Sequence, residues 1–294
     1  MVRKGEWLAI HVGVAIKTTP EQWISEQGLV PDKLMQQLIH QEGIKLQGNK
    51  LRLRLFPHEF ETRFLPEWRE LDLLYEDDFC LVVNKPAGLL VHPTHPGQSG
   101  TLANAIAAYY EETGQCCKVR HIHRLDEFTS GPILYAKNEL SQINLDEQMR
   151  NKSIVRGYIA LIDGIIEPRN GIINEAIGKD RHHPNRRRVS PHGDAAVTHY
   201  EVIEVYDDCC CLRIRLETGR THQIRVHFSH LRHSLLGDAL YGGSVKRIRR
   251  QALHGESLLF RHPFTFELIE VDVPCPVDLQ VVMDELRMEA TRKM

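Results

Sequence analysis

His121-Ile122-His123-Arg124-Leu125-Asp126-Glu127-Phe128-Thr129-Ser130-Gly131 is the run that governs the reading of this chain. It gathers two histidines, an arginine, two acids and two hydroxyls, ends on glycine, and precedes the apolar run Pro132 to Ala136. A buried strand is excluded, because every polar group would need a buried partner. The pattern is not that of an amphipathic helix either. A loop that presents Asp126, with Arg124 two residues before it, accounts for the stretch best. A carboxylate placed in this way can serve as nucleophile or general base. The same residues also suit a structural turn, in which an Arg–Asp pair and the Thr-Ser-Gly end hold a surface loop. Taken alone, the stretch leaves both readings open.

Outward from this run, composition bounds the answer. The chain has 294 residues, enough for one large domain or one domain and a small appendage. Hydrophobic residues make up 42% and charged residues 26%, as in globular rather than disordered chains. No run approaches the ~20 apolar residues of a membrane span. Met1 to Trp7 carry charge and no signal-like apolar stretch, so a cytoplasmic protein is expected. Seven cysteines are adjacent or isolated, without a C-x-x-C pair, which fits neither a disulfide framework nor a zinc site. The net charge of −2 does not advertise a nucleic-acid binder. Two basic clusters do offer local phosphate-binding surface: the loop 181–188 with Arg186, Arg187 and Arg188, and the run Lys246 to Arg250.

Residues 1–65 read as a small N-terminal α+β module. Gln22 to Gln27 and Asp32 to Gln41 predict short helices, and Leu51-Arg52-Leu53-Arg54-Leu55 alternates as a half-buried strand does. A helix pair followed by a hairpin is similar to the small S4 RNA-binding fold in degenerate form, since Lys33 is the only Lys or Arg of the second helix. A packing appendage accommodates the same pattern.

Residues 66–294 form the larger domain. An acidic connector leads to a buried strand at Phe79 to Val83, and Thr101 is placed to cap a helix. Further strands are expected at Ile133 to Ala136, Val155 to Ile162 and Gly171 to Ile177, and a helix at Glu139 to Arg150. Val197 to Tyr206 and Cys210 to Glu217 make a hairpin. Thr218 to His227 switches from strand to helix, with Ile224, Phe228 and Leu231 on one inner face. Late strands and a terminal helix over Asp278 to Arg292 follow. Strands come in hairpin-linked groups and not in regular βαβ alternation, which predicts an α+β fold with a mixed, largely antiparallel sheet.

Several chemistries lack their motifs. The chain has no G-x-x-x-x-G-K-[ST], no G-x-G-x-x-G, no G-x-S-x-G and no H-E-x-x-H. Glycosidases normally set two carboxylates across the scissile bond, whereas Asp126 stands with arginines. One carboxylate in that company suits attack on a sugar or base, or removal of a proton.

His123-Arg124-Leu125-Asp126-Glu127-Phe128-Thr129-Ser130-Gly131 resembles the H-R-L-D-x-x-T-S-G signature of the RluA-type pseudouridine synthases. Further segments match in order: Asn84-Lys85-Pro86-Ala87-Gly88 with Val91-His92-Pro93; Tyr158 in Tyr-Ile-Ala-Leu; Gly219 to His227; Gly237-Asp238-Ala239-Leu240-Tyr241-Gly242; and Leu253-His254 with Phe260 to Pro263. Arg156 stands where this family commonly has lysine. The resemblance implies a pseudouridine synthase domain that detaches uracil at N1–C1′, rotates it and rejoins it through C5, with no metal and no cofactor. It implies catalytic roles for Asp126, Tyr158 and Arg220, with Arg220 paired to Asp126, and RNA or base contacts for Arg124, Ile224 and His123. RNA is then the expected partner, ribosomal RNA before transfer RNA, and the chain is expected to be a monomer. A catalytically silent RNA-binding protein and a nucleoside or glycoside hydrolase are the alternatives.

Overall fold

The computed structural model describes residues 1–12, 16 and 18–292. Its N-terminal part pairs β1 (Val2–Lys4), β2 (Trp7–His11), β3 (Ile44–Gln47) and β4 (Lys50–Leu53) in the order β1-β2-β4-β3, all antiparallel. Helices α1 (Pro20–Glu26) and α2 (Asp32–His40) accompany this sheet. Thr19 caps α1 by accepting the Gln22 amide on its hydroxyl. The strands β1 and β2 were not expected. β1 is exposed throughout and carries no alternating apolar signal, so only pairing makes it a strand.

The remainder opens with β5 (Asp72–Glu76), β6 (Cys80–Lys85), α3 (Leu102–Glu112), β7 (Arg120–His121) and β8 (Gly131–Ala136), which give a sheet of order β5-β6-β8-β7. The apolar run Cys80 to Val83 is fully buried because β6 lies between two neighbours. Helix α4 (Glu139–Arg150) leads to β9 (Val155–Asp163), β10 (Asn170–Asn174), β11 (Ile177–Lys179), β12 (Arg187–Val189), β13 (Val197–Val205) and β14 (Cys209–Leu216). Helix α5 (Gln223–His230), β15 (Leu253–Arg261), β16 (Leu268–Asp272) and α6 (Val277–Arg292) complete the chain. Six strands form a second antiparallel sheet, β10-β13-β14-β9-β15-β16, and β11 pairs with β12 apart from it.

This is the α+β, antiparallel architecture the patterning predicts, with local differences. The expected strand from Gly171 to Ile177 splits into β10 and β11, which belong to different sheets. The basic loop contains a strand, β12, and the acidic connector ends in another, β5. Leu231 is not on the inner face: α5 stops at His230, so helical spacing no longer aims it inward, and it is exposed while Ile224 and Phe228 are buried.

Two seams tie the parts together. At the first, Ser130 and His254 form a parallel bridge, and the Gly255 amide donates to the Ser130 carbonyl at 2.8 Å. Here the two larger sheets meet. Gly131 has φ +131°, and a Cβ on it would lie 2.7 Å from the Gly255 backbone. The glycine that ends the signature therefore permits the crossing. At the second seam, Phe79, Leu140 and Phe264 join the core of the N-terminal part beside Ile24, Leu51 and Leu53. Next to them His262 Nε2 faces Asp77 Oδ2 at 2.7 Å, and Asp77 Oδ1 accepts the Phe79 and Cys80 amides.

Gly131→Ala is expected to lower stability by at least about 2 kcal/mol, from a strained φ together with the backbone clash, read as a lower urea midpoint at unchanged slope. For Asp77, burial raises the pKa, but the His262 contact and the two amides outweigh it and bring it to about 2 from 3.8. The folded pKa lies below the unfolded one, so this stability is complete above pH ~4 and is lost as pH falls through ~2. Asp77→Asn should cost about 2 kcal/mol at pH 6, and the gap to wild type should close toward pH 2 in urea titrations.

Candidate active site

A cavity of about 980 Å³ opens where the loop 121–129, strand β9, the β14–α5 junction and the turn at Gly237–Leu240 converge. Asp126 stands in its wall. Its Oδ2 accepts from Arg225 Nη1 at 3.0 Å. The other edge of the same guanidinium is taken by Asp238, through Nε to Oδ2 at 2.7 Å and Nη2 to Oδ1 at 2.9 Å. The Asp238 side chain is 1% exposed, Arg225 8% and Asp126 24%, so the inner pair is buried and the outer carboxylate reaches the cavity. Burial alone would lower the Arg225 pKa, but the Asp238 hydrogen bond and the Asp126 and Asp238 charges raise it well above the ordinary value. Arg225 is a permanent cation that orients the Asp126 carboxylate.

The face of Arg225 rests 4.9 Å from the Tyr241 ring centroid. The Tyr241 hydroxyl accepts the Arg187 amide at 2.9 Å and lies 2.9 Å from His222 Nδ1. Asp238 and Tyr241 thus give the Gly237 to Gly242 segment its role: it supports the arginine from behind.

The loop that carries Asp126 is held at each step. The Lys85 ammonium, fully buried, donates to the carbonyls of Pro86, Leu89 and Glu127 at 2.8–2.9 Å. Burial pushes Lys85 down to about 7, and Asp126 pulls in the opposite sense. The Gly88 amide also binds the Glu127 carbonyl. Arg250 Nη1 reaches the Phe128 carbonyl, Gln251 Nε2 donates to Thr129 Oγ1, and Ser130 Oγ pairs with His254 Nδ1 at 2.9 Å. Thr129 and Ser130 are buried anchors, which explains why a polar run sits between a loop and a core strand.

Tyr158, on β9, and Ile224, on α5, are buried and line the cavity. Burial raises the Tyr158 pKa, with Arg156 lowering it and Asp126 raising it, so the side chain is a phenol at neutral pH. Arg124 is exposed at the cavity wall, near His92 and His121, whose rings lie 4.8 Å apart. Arg187 also lines the cavity. Arg188, its neighbour on β12, is on the opposite side, because side chains alternate along a strand. Arg186 lies over the Tyr241 ring at 5.3 Å and 4.0 Å from Asp180.

Three expectations need correction. Arg220 does not pair with Asp126. It precedes α5, is exposed, and its Nε donates to the Ala195 carbonyl at 2.9 Å. The pairing belongs to Arg225, within the helix. In sequence nothing separates the two arginines; the buried contact with Asp238 marks Arg225 as the partner. His123 does not present its nitrogens to RNA: it is 6% exposed, its Nε2 accepts the Leu134 amide, and burial pushes its pKa to about 3. The Lys246 to Arg250 run offers only part of its charge as a phosphate surface: Lys246 and Arg249 are exposed, and Arg249 lines the cavity. Arg247 is paired with Glu289 and Asp208, and Arg250 with Asp278.

Among the described residues, one group brings metal-ligand types together: Asp77, Cys80 and His262. Its donors are already engaged. His262 Nδ1 accepts the Phe264 and Thr265 amides, its Nε2 faces Asp77, and burial together with Asp77 holds Cys80 as a thiol. Among the described residues no helix is long and apolar enough to cross a membrane.

The family model described as RNA pseudouridylate synthase matches residues 79–230. The chain is 43% identical over 281 residues to an uncharacterised RNA pseudouridine synthase of Bacillus subtilis, covering 94% of this chain and 92% of that one. It is 38% identical to the ribosomal large subunit pseudouridine synthase D of Haemophilus ducreyi, over 80% of this chain and 76% of the other. Among solved structures, human RNA pseudouridylate synthase domain containing 1 aligns with a TM-score of 0.60 at 25% identity, over 76% of this chain and 95% of that chain. On the signature loop, the cavity and these matches together, the chain belongs to the RluA-type RNA pseudouridine synthases, isomerases that act on RNA.

Proposed function

We propose that this protein isomerises specific uridines of large-subunit ribosomal RNA to pseudouridine, with Asp126 as the essential carboxylate. The observation that carries the reading is the chain of contacts Asp126–Arg225–Asp238, which leaves one carboxylate facing a cavity of nucleotide size. The RNA class is drawn from the relatives that are named for the large ribosomal subunit.

In this reading the target uridine is flipped from its stack at a cost of a few kcal/mol. Arg124, exposed at the cavity wall, occupies the gap that the nucleotide leaves. The uracil lies against Tyr158 and Ile224. Asp126 either adds to C1′ or removes the C2′ proton, and the hydrogen bond from Arg225 holds it in position. Arg187, with Arg186 beside it, contacts phosphate on the approach to the site, and Arg188 contacts phosphate on the outer side of β12. Residues 1–65 add to the choice of RNA as a degenerate S4-like unit, and residues 66–294 carry the catalysis.

RNA transcripts with tritium at uridine C5 test the proposal. Tritium should be released to water with no change in RNA mass, and Asp126→Asn should abolish release while the folded spectrum is kept. Retained turnover in that variant, or loss of the base, removes the assignment. Arg225→Gln should lower the single-turnover rate by at least 10²-fold and cost about 3–5 kcal/mol of stability, since Asp238 is left buried without its partner. Arg220→Gln should leave both close to wild type. Equal losses in the two variants would contradict the assignment of Arg225.

A further inference from the structure

Arg156 lies on β9 two residues before Tyr158, so the two side chains share a face of the strand. It lines the same cavity as Asp126 and Tyr158, yet it is only 6% exposed. Among the described residues no acceptor lies within hydrogen-bond distance of its guanidinium, and its Nε is wholly buried without a partner. The contrast with Arg225 is sharp: that arginine is as deeply buried but binds two carboxylates. A buried cation with no counter-charge is costly in the empty protein. Gly219 makes the room for it. Its φ is outside the left-handed region, so its backbone does not call for glycine; a Cβ there, however, would lie 2.9 Å from Arg156 Nη1.

We propose that Arg156 is a further catalytic residue, which stabilises the negative charge on the uracil when its bond to the ribose breaks. The inference rests on the proposed role of Asp126. The N1–C1′ bond breaks with its electron pair going to uracil, where the charge spreads over N1, O2 and O4. C1′ gains in exchange a bond to the Asp126 carboxylate, or a double bond to C2′ as that carboxylate takes the C2′ proton. By either route the free ring is an anion. After rotation its C5 supplies the pair for the new bond to C1′; Asp126 is released, or returns the proton to C2′. The C5 proton then leaves and N1 takes one, so the product is neutral.

Position favours the base over a phosphate as the group that meets Arg156. In a flipped nucleotide the base goes deepest, while the phosphates stay continuous with the strand outside. Arg156 is at the depth of Tyr158, and its charge lowers the pKa of that phenol against the effect of burial. Neutral uracil gains little from the guanidinium; the anion gains much. The contact therefore acts on the rate and hardly on affinity.

Single-turnover assays on large-subunit ribosomal RNA transcripts made with uridine or 5-fluorouridine test this, following consumption of the target nucleoside by chromatographic separation of the digested nucleosides. Fluorine makes the ring a better leaving group. Arg156→Gln is expected to slow the uridine reaction by about 10²-fold with RNA affinity unchanged, and to lose much less on the fluorinated RNA. Arg156→Lys should keep part of the rate. Gly219→Ala, which displaces the guanidinium without touching Arg225, should reproduce the pattern and serves where the glutamine variant does not fold. Equal losses on both RNAs, an unchanged rate, or a weaker affinity with a shallower salt slope (a phosphate anchor) would each overturn the proposal. Asp126→Asn, run alongside, should stop both reactions. If it does not, the site itself has been misassigned, whatever Arg156 does.

Discussion

One guanidinium between two carboxylates sets the geometry of this site. Arg225 is clamped by buried Asp238 through two hydrogen bonds and offers its remaining edge to Asp126. The inner pair is too buried to reorganise cheaply, so the outer carboxylate takes the position that the arginine dictates. Desolvation and orientation are settled during folding, before any substrate binds. The Tyr241 ring beneath the guanidinium and the His222 and Arg187 contacts to its hydroxyl extend that support into α5 and β12.

The loop bearing Asp126 is equally constrained, from three directions. Lys85 holds its carbonyls from the β6 side, Arg250 and Gln251 from the segment before β15, and His254 from β15 itself. Gly131 then lets the chain cross β15 without a side chain in the way. These contacts explain why motifs widely separated in sequence belong to one site. Several supply a strut to the same short loop, and others line the cavity beside it.

Charge is used in a way the net value of −2 conceals. Arg247, Arg250 and Arg225 are bound in ion pairs, while Arg124 and Arg187 remain at the cavity. Exposed Arg220 and Arg249 line the same cavity, so positive charge is concentrated there by placement. Buried Lys85 is satisfied by three carbonyls, whereas buried Arg156 makes no hydrogen bond or ion pair among the described residues.

Much was legible in the sequence. The buried run Cys80 to Val83, the hairpin of β13 and β14, the terminal helix and the antiparallel, α+β class follow from hydrophobic period and turn residues, which act locally. The signature around Asp126 and its ordered companions marked the family, because the identities and order of residues survive without knowledge of distance. Illegible were the matters of pairing. Arg220 and Arg225 are five residues apart and chemically identical; only the start of α5 between them leaves one at the cavity rim on the Ala195 carbonyl and aims the other at Asp126. Nor can sequence tell that Arg250 is a loop strut, that His123 is buried, or that Gly219 leaves space for Arg156. The sequence by itself determined which chemical groups this protein possesses and which short segments form helix or strand. The tertiary structure decided which cation meets which carboxylate, because that depends on burial and direction between residues as far apart as Asp126 and Arg225, where no local pattern reaches.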